Sequence, residues 1–380
     1  MKRFTTVLLA SGLVLTSVGA LASMDRPADD RVHAPMPDQR DTVTRICLGS
    51  CFDPRDKVAW DIWDRVRELE PQLFLALGDN VYADTDDPEE YRAAFDLLET
   101  VPQYVRVREE IPVIATWDDH DYGFNDSGAN FARQGSVTGY EDARRQSQDL
   151  FLDAYGVDED SPRRAPRDGI YDAMILGPEG RRVQVIVLDT RYNRSDIEKD
   201  STLRRADWVE GFPGSYVPHT DPSSTVLGEA QWEWLGEQLR KPAEARVIMT
   251  SVQFVADDHR FEKWGNFPHE RARMIELIEE TKANGVVFVS GDRHKGELSR
   301  EDDAPYPLYD LTSSAMNHSN GRYWNEVNTR RDGALFASNN FGVLSFDWES
   351  PEPRITMELR DEGGRVVIRR HVPLRKLRVD

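Results

Sequence analysis

An apolar run that ends in an acid, followed three residues later by a phenol, is the most chemically suggestive stretch of this 380-residue chain: Ala76-Leu-Gly-Asp-Asn-Val-Tyr-Ala-Asp84. Carboxylate and phenolate oxygens both bind metal ions. A single Gly-Asp is as readily a turn or helix cap, so the argument rests on recurrence. Cys51 ends another apolar stretch, and Trp117-Asp-Asp-His-Asp-Tyr-Gly-Phe-Asn-Asp126 gathers acids, a histidine and an asparagine behind a third. Arg191 follows the apolar run 183–188, Gln253 the run 246–249, and Asp292 and His294 the run 286–290. A solvated acidic loop is the plain alternative for 117–126, and a hydrogen-bonded loop histidine for His120. His259, His269 and His318 lie in irregular segments and carry only that ordinary reading.

These residues need strands that end at one edge. The run 73–77 is short and apolar on both faces, as suits a strand buried in a layered sheet. Gly78 lets the chain turn and leaves Asp79 at the strand's carboxyl end, where open α/β sheets build their sites. The pattern predicts further core strands over 43–50, 111–116, 183–188, 246–249 and 286–290. Asp53-Pro54 reads as the start of a helix with Val58, Ile62, Val66 and Leu69 on one face, and Asp87-Pro88 as the start of another. Further helices are expected over 141–155, after Gly228, and over 268–283, stopped by Asn284-Gly285. Parallel pairing of the first two strands brings Cys51 and Asp79 to the same edge. The later strands, near 308–312, 342–347, 354–359 and 365–372, alternate more clearly and are expected to pair antiparallel in a second sheet. Segments 192–228 and 313–333 read as long functional loops.

Hydrophobic residues make up 39% of the chain and charged ones 31%, the proportions of an ordinary soluble protein, and the formal net charge is −20. That balance speaks against a nucleic-acid interface, which needs a basic face. It also repels an anionic substrate unless the site carries its own positive charge. Lys2 and Arg3 precede an apolar stretch over 7–21 that closes on Ala20-Leu-Ala22, which reads as an export signal over 1–22 cleaved after Ala22; a retained anchor is the alternative. Residues 23–41 read as a flexible lead-in to one domain over 42–380, without a transmembrane helix and monomeric. Cys47 and Cys51 are the two cysteines. Four residues of strand span roughly 13 Å, beyond the ~7 Å reach of a disulfide. Cys47 is therefore expected as buried filler, and Cys51, at a strand end, as a metal ligand or a nucleophile.

Taken in order, Gly49-Ser-Cys51, Gly78-Asp-Asn-Val-Tyr82, Asp118-Asp-His-Asp121 and Ser290-Gly-Asp-Arg-His294 resemble the alkaline phosphatase D (PhoD-like) family of the calcineurin-like metallophosphatase superfamily. Gly78-Asp-Asn-Val-Tyr-Ala-Asp84 is also similar to the purple acid phosphatase form of the motif, whose tyrosine binds ferric iron. The resemblance covers roughly residues 43–347. It implies an α/β fold, a four-layer α/β/β/α metallophosphatase sandwich with two mixed sheets. Position by position it places one metal on Cys51, Asp79, Tyr82 and His294, and a second on Asp79, Asp119, Gln253 and Asp292. Thiolate and phenolate suit Fe(3+) and an all-oxygen set suits Ca(2+), with Mg(2+), Mn(2+) or Zn(2+) as alternatives. Cys51, Asp79, Tyr82, Asp119 and Asp292 bring about five negative charges, which one trivalent and one divalent ion cancel. A third cation or an arginine is then needed to draw phosphate. Asp118, Asp121, Asn125 and Asp126 are candidate ligands for a second calcium, and Arg191 is the candidate phosphate clamp.

The implied function is that of a secreted phosphoric ester hydrolase of the alkaline phosphatase or phosphodiesterase type on a small phosphate-ester substrate. A hydroxide acidified by the metals attacks phosphorus in line, and His120 protonates or stabilises the leaving oxygen. The alternatives are a phospholipase D-like phosphodiesterase acting on phospholipid head groups and a catalytically inactive metal-binding surface module. A thiol phosphatase built on Cys51 lacks the phosphate-cradling loop that should follow the cysteine.

Overall fold

The computed structural model describes residues 31–131, 140–164, 167–203 and 211–379. The expected signal 1–22 and residues 23–30 of the lead-in lie outside the described residues. From Arg31 on, the chain rests on the body: the Ala34 amide donates to the Arg108 carbonyl at 2.8 Å, and Arg31 pairs with Asp96 at 2.7 Å.

Among the described residues, twelve strands form two six-stranded sheets. In the first, β1 (Arg45–Gly49), β2 (Leu73–Leu77) and β3 (Val113–Thr116) run parallel, with Cys47 beside Phe74 and Leu75 beside Ile114. The second sheet includes β4 (Asp172–Leu176), β5 (Val183–Val187), β6 (Ala245–Met249), β7 (Val286–Ser290), β8 (Gly296–Glu301) and β9 (Leu308–Ser313). Its strands β5, β6, β7 and β9 are parallel, while β4 and β8 close the edges antiparallel. Both sheets are mixed.

Pleating sorts the layers. Ile46, Leu48, Leu73, Leu75 and Leu77 point into a core shared with Val185, Val247 and Val287 of the other sheet. Cys47, Phe74, Ala76 and Ala115 face the opposite way, onto Ile62, Tyr91, Phe95 and Phe151 of the covering helices. Trp232, Leu235, Met274 and Ile278, from the helices Glu229–Leu239 and Pro268–Glu280, cover the second sheet's outer face. The four layers are thus helix, sheet, sheet, helix, as expected from the sequence.

Several local expectations change. The strands β10 (Asn340–Asp347), β11 (Arg354–Asp361) and β12 (Val366–Pro373) are antiparallel, but they extend the first sheet, with Val343 beside Cys47. Strand β9 pairs parallel with β7, so the predicted separate antiparallel sheet is not formed. The helix expected from Asp53 begins only at Ile62, because Ala59 has φ 61° and breaks the run. Asp53 instead holds Arg55, and its backbone is bound by Asn317 through bonds of 2.7 and 2.8 Å. Asp87 does cap its helix, accepting from the Glu89 and Glu90 amides at 2.8 and 3.1 Å. Strands β4 and β8 and the helix Pro102–Glu110 escaped the sequence reading; in β8 the buried face carries Glu297, Ser299 and Glu301, which erases the hydrophobic alternation.

The two sheets are pinned together at the edge where the parallel strands end. Ser50 bridges Ser314, the Met316 amide donates to the Ser50 carbonyl at 3.0 Å, and Thr116 Oγ1 donates to the Leu188 carbonyl at 2.8 Å. Gly78 has φ +99°, and a Cβ there would stand 2.5 Å from the Asp118 Cβ. Gly78→Ala is therefore expected to cost more than ~2 kcal/mol in stability and to lower metal content. Asp87→Ala, the loss of one cap, is expected to cost about 1 kcal/mol with metal content unchanged. Chemical denaturation with elemental analysis checks both.

Candidate metal centre

Strand ends alone would scatter these side chains; unusual backbone angles gather them. Cys51 has φ 56°, Asp79 48°, Asp292 68° and His294 53°, the left-handed region that L-residues seldom adopt. Each such residue costs of order 1–3 kcal/mol, a strain that persists where surrounding structure over-determines it. Four of the expected ligands accept it, and so do their neighbours Asp84, at 49°, and Asp126, at 56°.

The gathered groups form three overlapping sets whose ligand atoms lie within 4.8 Å of one another: Cys51, Asp79 and His294; Asp79, Asp119 and His120; and Asp118, Asp119 and Asp292. The Cys51 thiol donates to Asp79 at 3.3 Å, and the Tyr82 phenol lies against that thiol. Burial, then Asp79, pushes the Cys51 thiol well above its ordinary range. Burial first, then neighbouring Cys51 and Asp79, does the same to the Tyr82 phenol. Asp79 and Asp292 are raised well above the carboxylate range, chiefly by burial. Asp79 Oδ1, Tyr82 Oη, Asp118 Oδ2 and Asp119 Oδ1 are buried without a hydrogen-bond partner. Buried acceptors of this density are stable as anions only against cations. The donor set therefore fits metal ions: sulfur, phenol and imidazole around one end of Asp79, carboxylates around the other.

Imidazoles and the phenol pack at the opening. The Tyr82 ring is 4.5 Å from that of His120 and 5.0 Å from that of His318, which is itself 4.7 Å from His294. His294 Nδ1 meets the His318 carbonyl at 2.6 Å. That contact makes Nδ1 the protonated nitrogen and leaves the Nε2 lone pair for a metal. Burial pushes His294 down to about 4. His120 Nδ1 sits 2.7 Å from Asp84 Oδ1. Burial works against its charge, but Asp119, Asp79 and Asp84 together outweigh it and hold His120 up at about 11.

Four expected site residues are used otherwise. Arg191 is fully buried; its Nη1 pairs with Glu262 at 2.7 Å, its Nε donates to Asp118 at 2.5 Å, and it stands 3.8 Å from Asp119. Its donors are taken up inside the protein, so it is a counter-charge behind the cluster rather than a clamp facing substrate. Gln253 does not join the second metal set. Its amide nitrogen donates to Glu297 and Thr312, both at 2.8 Å, and its oxygen meets His259 Nε2 at 2.9 Å. Asp121 braces the turn, accepting from the Val81 amide at 3.0 Å and from Asn80 and the Asp118 amide at 3.1 Å. Asn125 is exposed and lines a side cavity of about 120 Å³ with Asp126 and Tyr216. Asp126 reaches the cluster through its amide, which donates to Asp119 at 2.7 Å.

Other residues entered the site unannounced. Ser314 Oγ is 3.1 Å from the Cys51 sulfur and accepts from the His294 amide at 2.8 Å. Asp84 had a signal, its place two residues after Tyr82. His318 and Glu262 had none, because each arrives from an irregular segment that only tertiary packing brings near. His259 and His269 keep the ordinary reading: the first is buried against Gln253, and the second meets the Ser224 carbonyl at 2.6 Å.

Comparison with known proteins bears on the family and the fold. The family described as PhoD-like phosphatase matches residues 47–320. Alkaline phosphatase D of Bacillus subtilis (strain 168) is 22% identical over 250 residues, a match spanning 62% of this chain and 41% of that protein's length. The solved structure of PhoD superposes with a TM-score of 0.64 at 17% identity, covering 89% of this chain and 73% of that one. GAP50, the anchor in the inner membrane complex of Plasmodium, superposes with a TM-score of 0.52 at 11% identity, covering 90% of each chain. An anchor on the same architecture means that fold alone does not decide activity. Among the described residues no helix is long and apolar enough to cross a membrane.

Stripping the site of metal has a pH signature. Asp121 is raised to about 8, mainly by burial, and Asp118, Asp79 and Asp292 are raised for the same first cause. Between about pH 8 and about pH 7, above the usual histidine range, the folded apoprotein holds protons that the unfolded chain has released. Its stability therefore rises as pH falls through that window. Bound cations keep Asp118, Asp79 and Asp292 ionised and take away their share of this effect, while the shares of Asp121 and His120 persist. Thermal unfolding of chelator-treated protein is expected to gain more Tm as the pH falls through this window than metal-loaded protein does; parallel slopes would contradict the assignment.

Proposed function

The chain belongs to the PhoD-like phosphatase family, and on that premise we propose that it is a metal-dependent phosphoric ester hydrolase that acts outside the cytoplasm. The carrying observation is the buried convergence of a thiol, a phenol, imidazoles and carboxylates whose oxygens lack partners. Cys51, Asp79, Tyr82 and His294 would hold Fe(3+), and Asp79, Asp119, Asp292 and Asp118 would hold Ca(2+). When bound, such ions supply Lewis-acid polarisation of the phosphoryl group and acidification of water. Export rests on Lys2, Arg3 and the apolar run that follows.

The chain's own residues do the rest. Asp79 orients both ends of the centre, since it belongs to the thiol set and to the Asp119 set. Asp84 fixes the His120 ring and leaves Nε2 to give a proton to the leaving oxygen. Arg191 pairs with Asp118 Oδ1 and with Glu262 from behind and leaves Asp118 Oδ2, Asp119 and Asp292 for cations. Ser314 holds the Cys51 sulfur and the His294 backbone in one register.

Two measurements test this. Protein loaded with iron and calcium is expected to hydrolyse p-nitrophenyl phosphate or its bis ester, and His120→Ala to lower kcat by about 10²- to 10⁴-fold at full metal content. Failure on both esters would sink the reading, and full activity of the variant would remove His120 from it. Iron bound through a phenolate absorbs in the visible, so the native protein is expected to be coloured and Tyr82→Phe to lose that band. A colourless, iron-free protein would overturn the iron assignment.

A further inference from the structure

Beside the centre, on the Tyr82 side, lies an open cavity of about 320 Å³ lined by Tyr82, Ala83, Pro54, Ala93, Ala94 and Leu97, among others. Three features tie it to the chemistry. Tyr82 is shared between the cavity wall and the centre, and its ring packs 4.5 Å from that of His120. The Ala83 amide donates to the His120 carbonyl at 3.2 Å, so the wall and the expected proton donor are one unit. The facing wall, Asp53 to Arg55, is fixed by Asn317, whose amide nitrogen donates to the Asp53 and Asp56 carbonyls at 2.8 and 3.0 Å.

The lining also states what it would accept. One side of it is apolar, formed by Pro54, Val81, Ala83, Ala93, Ala94 and Leu97, and the charged residues Asp53, Arg55 and Glu90 complete the lining. Those charges have partners within the protein. Arg55 is bound to Asp53 at 2.9 Å, and Glu90 accepts from Thr85 at 2.7 Å. The short side chains of Ala93 and Ala94, on the helix Pro88–Leu98, leave the room. A flat or branched hydrocarbon body would bury its surface against that apolar side, next to Tyr82, as a methyl group would not.

We propose that this cavity receives the alcohol portion of the ester and selects substrates whose alcohol is an uncharged apolar or aromatic body. The inference rests on the phosphoric ester hydrolase reading and names the substrate class of that site. The leaving oxygen then departs towards His120, on the side where the alcohol is seated.

Ala93→Phe tests it. Ala93 is exposed on its helix, so the new ring fills the cavity without entering the core. Unchanged thermal unfolding and metal content certify the variant. Two readouts are taken on metal-loaded protein: kcat/KM for naphthyl and for methyl esters of phosphate, and calorimetric binding of naphthylmethyl phosphonate, which cannot be hydrolysed. The variant is expected to lose about 10- to 100-fold more on the naphthyl ester than on the methyl ester and to lose phosphonate affinity. Equal losses on the two esters, or no loss on either, would overturn the inference while leaving the hydrolase reading intact. If the unaltered protein binds the phosphonate, the variant does not, and no ester is hydrolysed, the cavity assignment stands and the hydrolase reading falls. Absence of both binding and turnover in the unaltered protein refutes the two together.

Discussion

Like charge packed where water is scarce is the constraint on which this molecule turns. Asp79, Asp118, Asp119 and Asp292, with Cys51 and Tyr82, occupy one buried edge, and several of their oxygens have no protein partner. Such a cluster is costly in a bare protein, because burial disfavours each anion and acidic neighbours disfavour Asp79, Asp118 and Asp292 again, whereas burial is outweighed at Asp119 by His120 and Arg191. The fold meets this cost in two ways. Arg191 carries a permanent positive charge into the interior and spends it on Asp118 and Glu262; burial opposes that charge, but the two carboxylates hold it. The remaining groups, close to the five negative charges counted from the sequence, are left for metal ions.

That division explains the backbone. Left-handed angles at Cys51, Asp79, Asp292 and His294 are unfavourable alone, yet they swing four side chains from different strand ends towards a common point. The two sheets resist the strain because they are locked at that edge, through Ser50 to Ser314 and Thr116 to Leu188. Gly78 lets the turns after β2 and β3 approach closely enough to share the site. Stability stored in the sheets and strain concentrated at the centre are two sides of one design.

Tyr82 touches Cys51 on one side, stacks near His120 and His318 on another, and walls the neighbouring cavity on a third. A change there would be felt by metal binding, by the histidine pair and by the lining together. The surface outside carries a net charge of −20, so the approach of an anionic ester depends on what the centre holds rather than on the protein's general field.

How much of this was legible follows from the range of the forces involved. Short apolar runs ending in Gly-Asp, Asp-Asp-His or Gly-Asp-Arg-His declared both the parallel strands and the positions of Cys51, Asp79, Asp119, Asp292 and His294, which the fold brings together, because strand burial and turn chemistry are written in a few adjacent residues. Cys47 as filler and the Asp87 cap were local for the same reason. What needed the folded chain was every choice among distant partners. Arg191 and Gln253 sit at strand ends like the ligands, and their sequence contexts look the same. Tertiary packing placed Glu262 and Asp118 around the first, and Glu297, Thr312 and His259 around the second, so that hydrogen bonding consumed them. The same packing carried His318 from an irregular segment to the Tyr82 ring and moved β10 to β12 onto the free edge of β1. The sequence by itself determined which residues could bind cations and at which strand ends they would stand. Only the tertiary structure decided which of them face one another and which are spent on each other, because pairing energies between side chains depend on distances that no spacing along the chain contains.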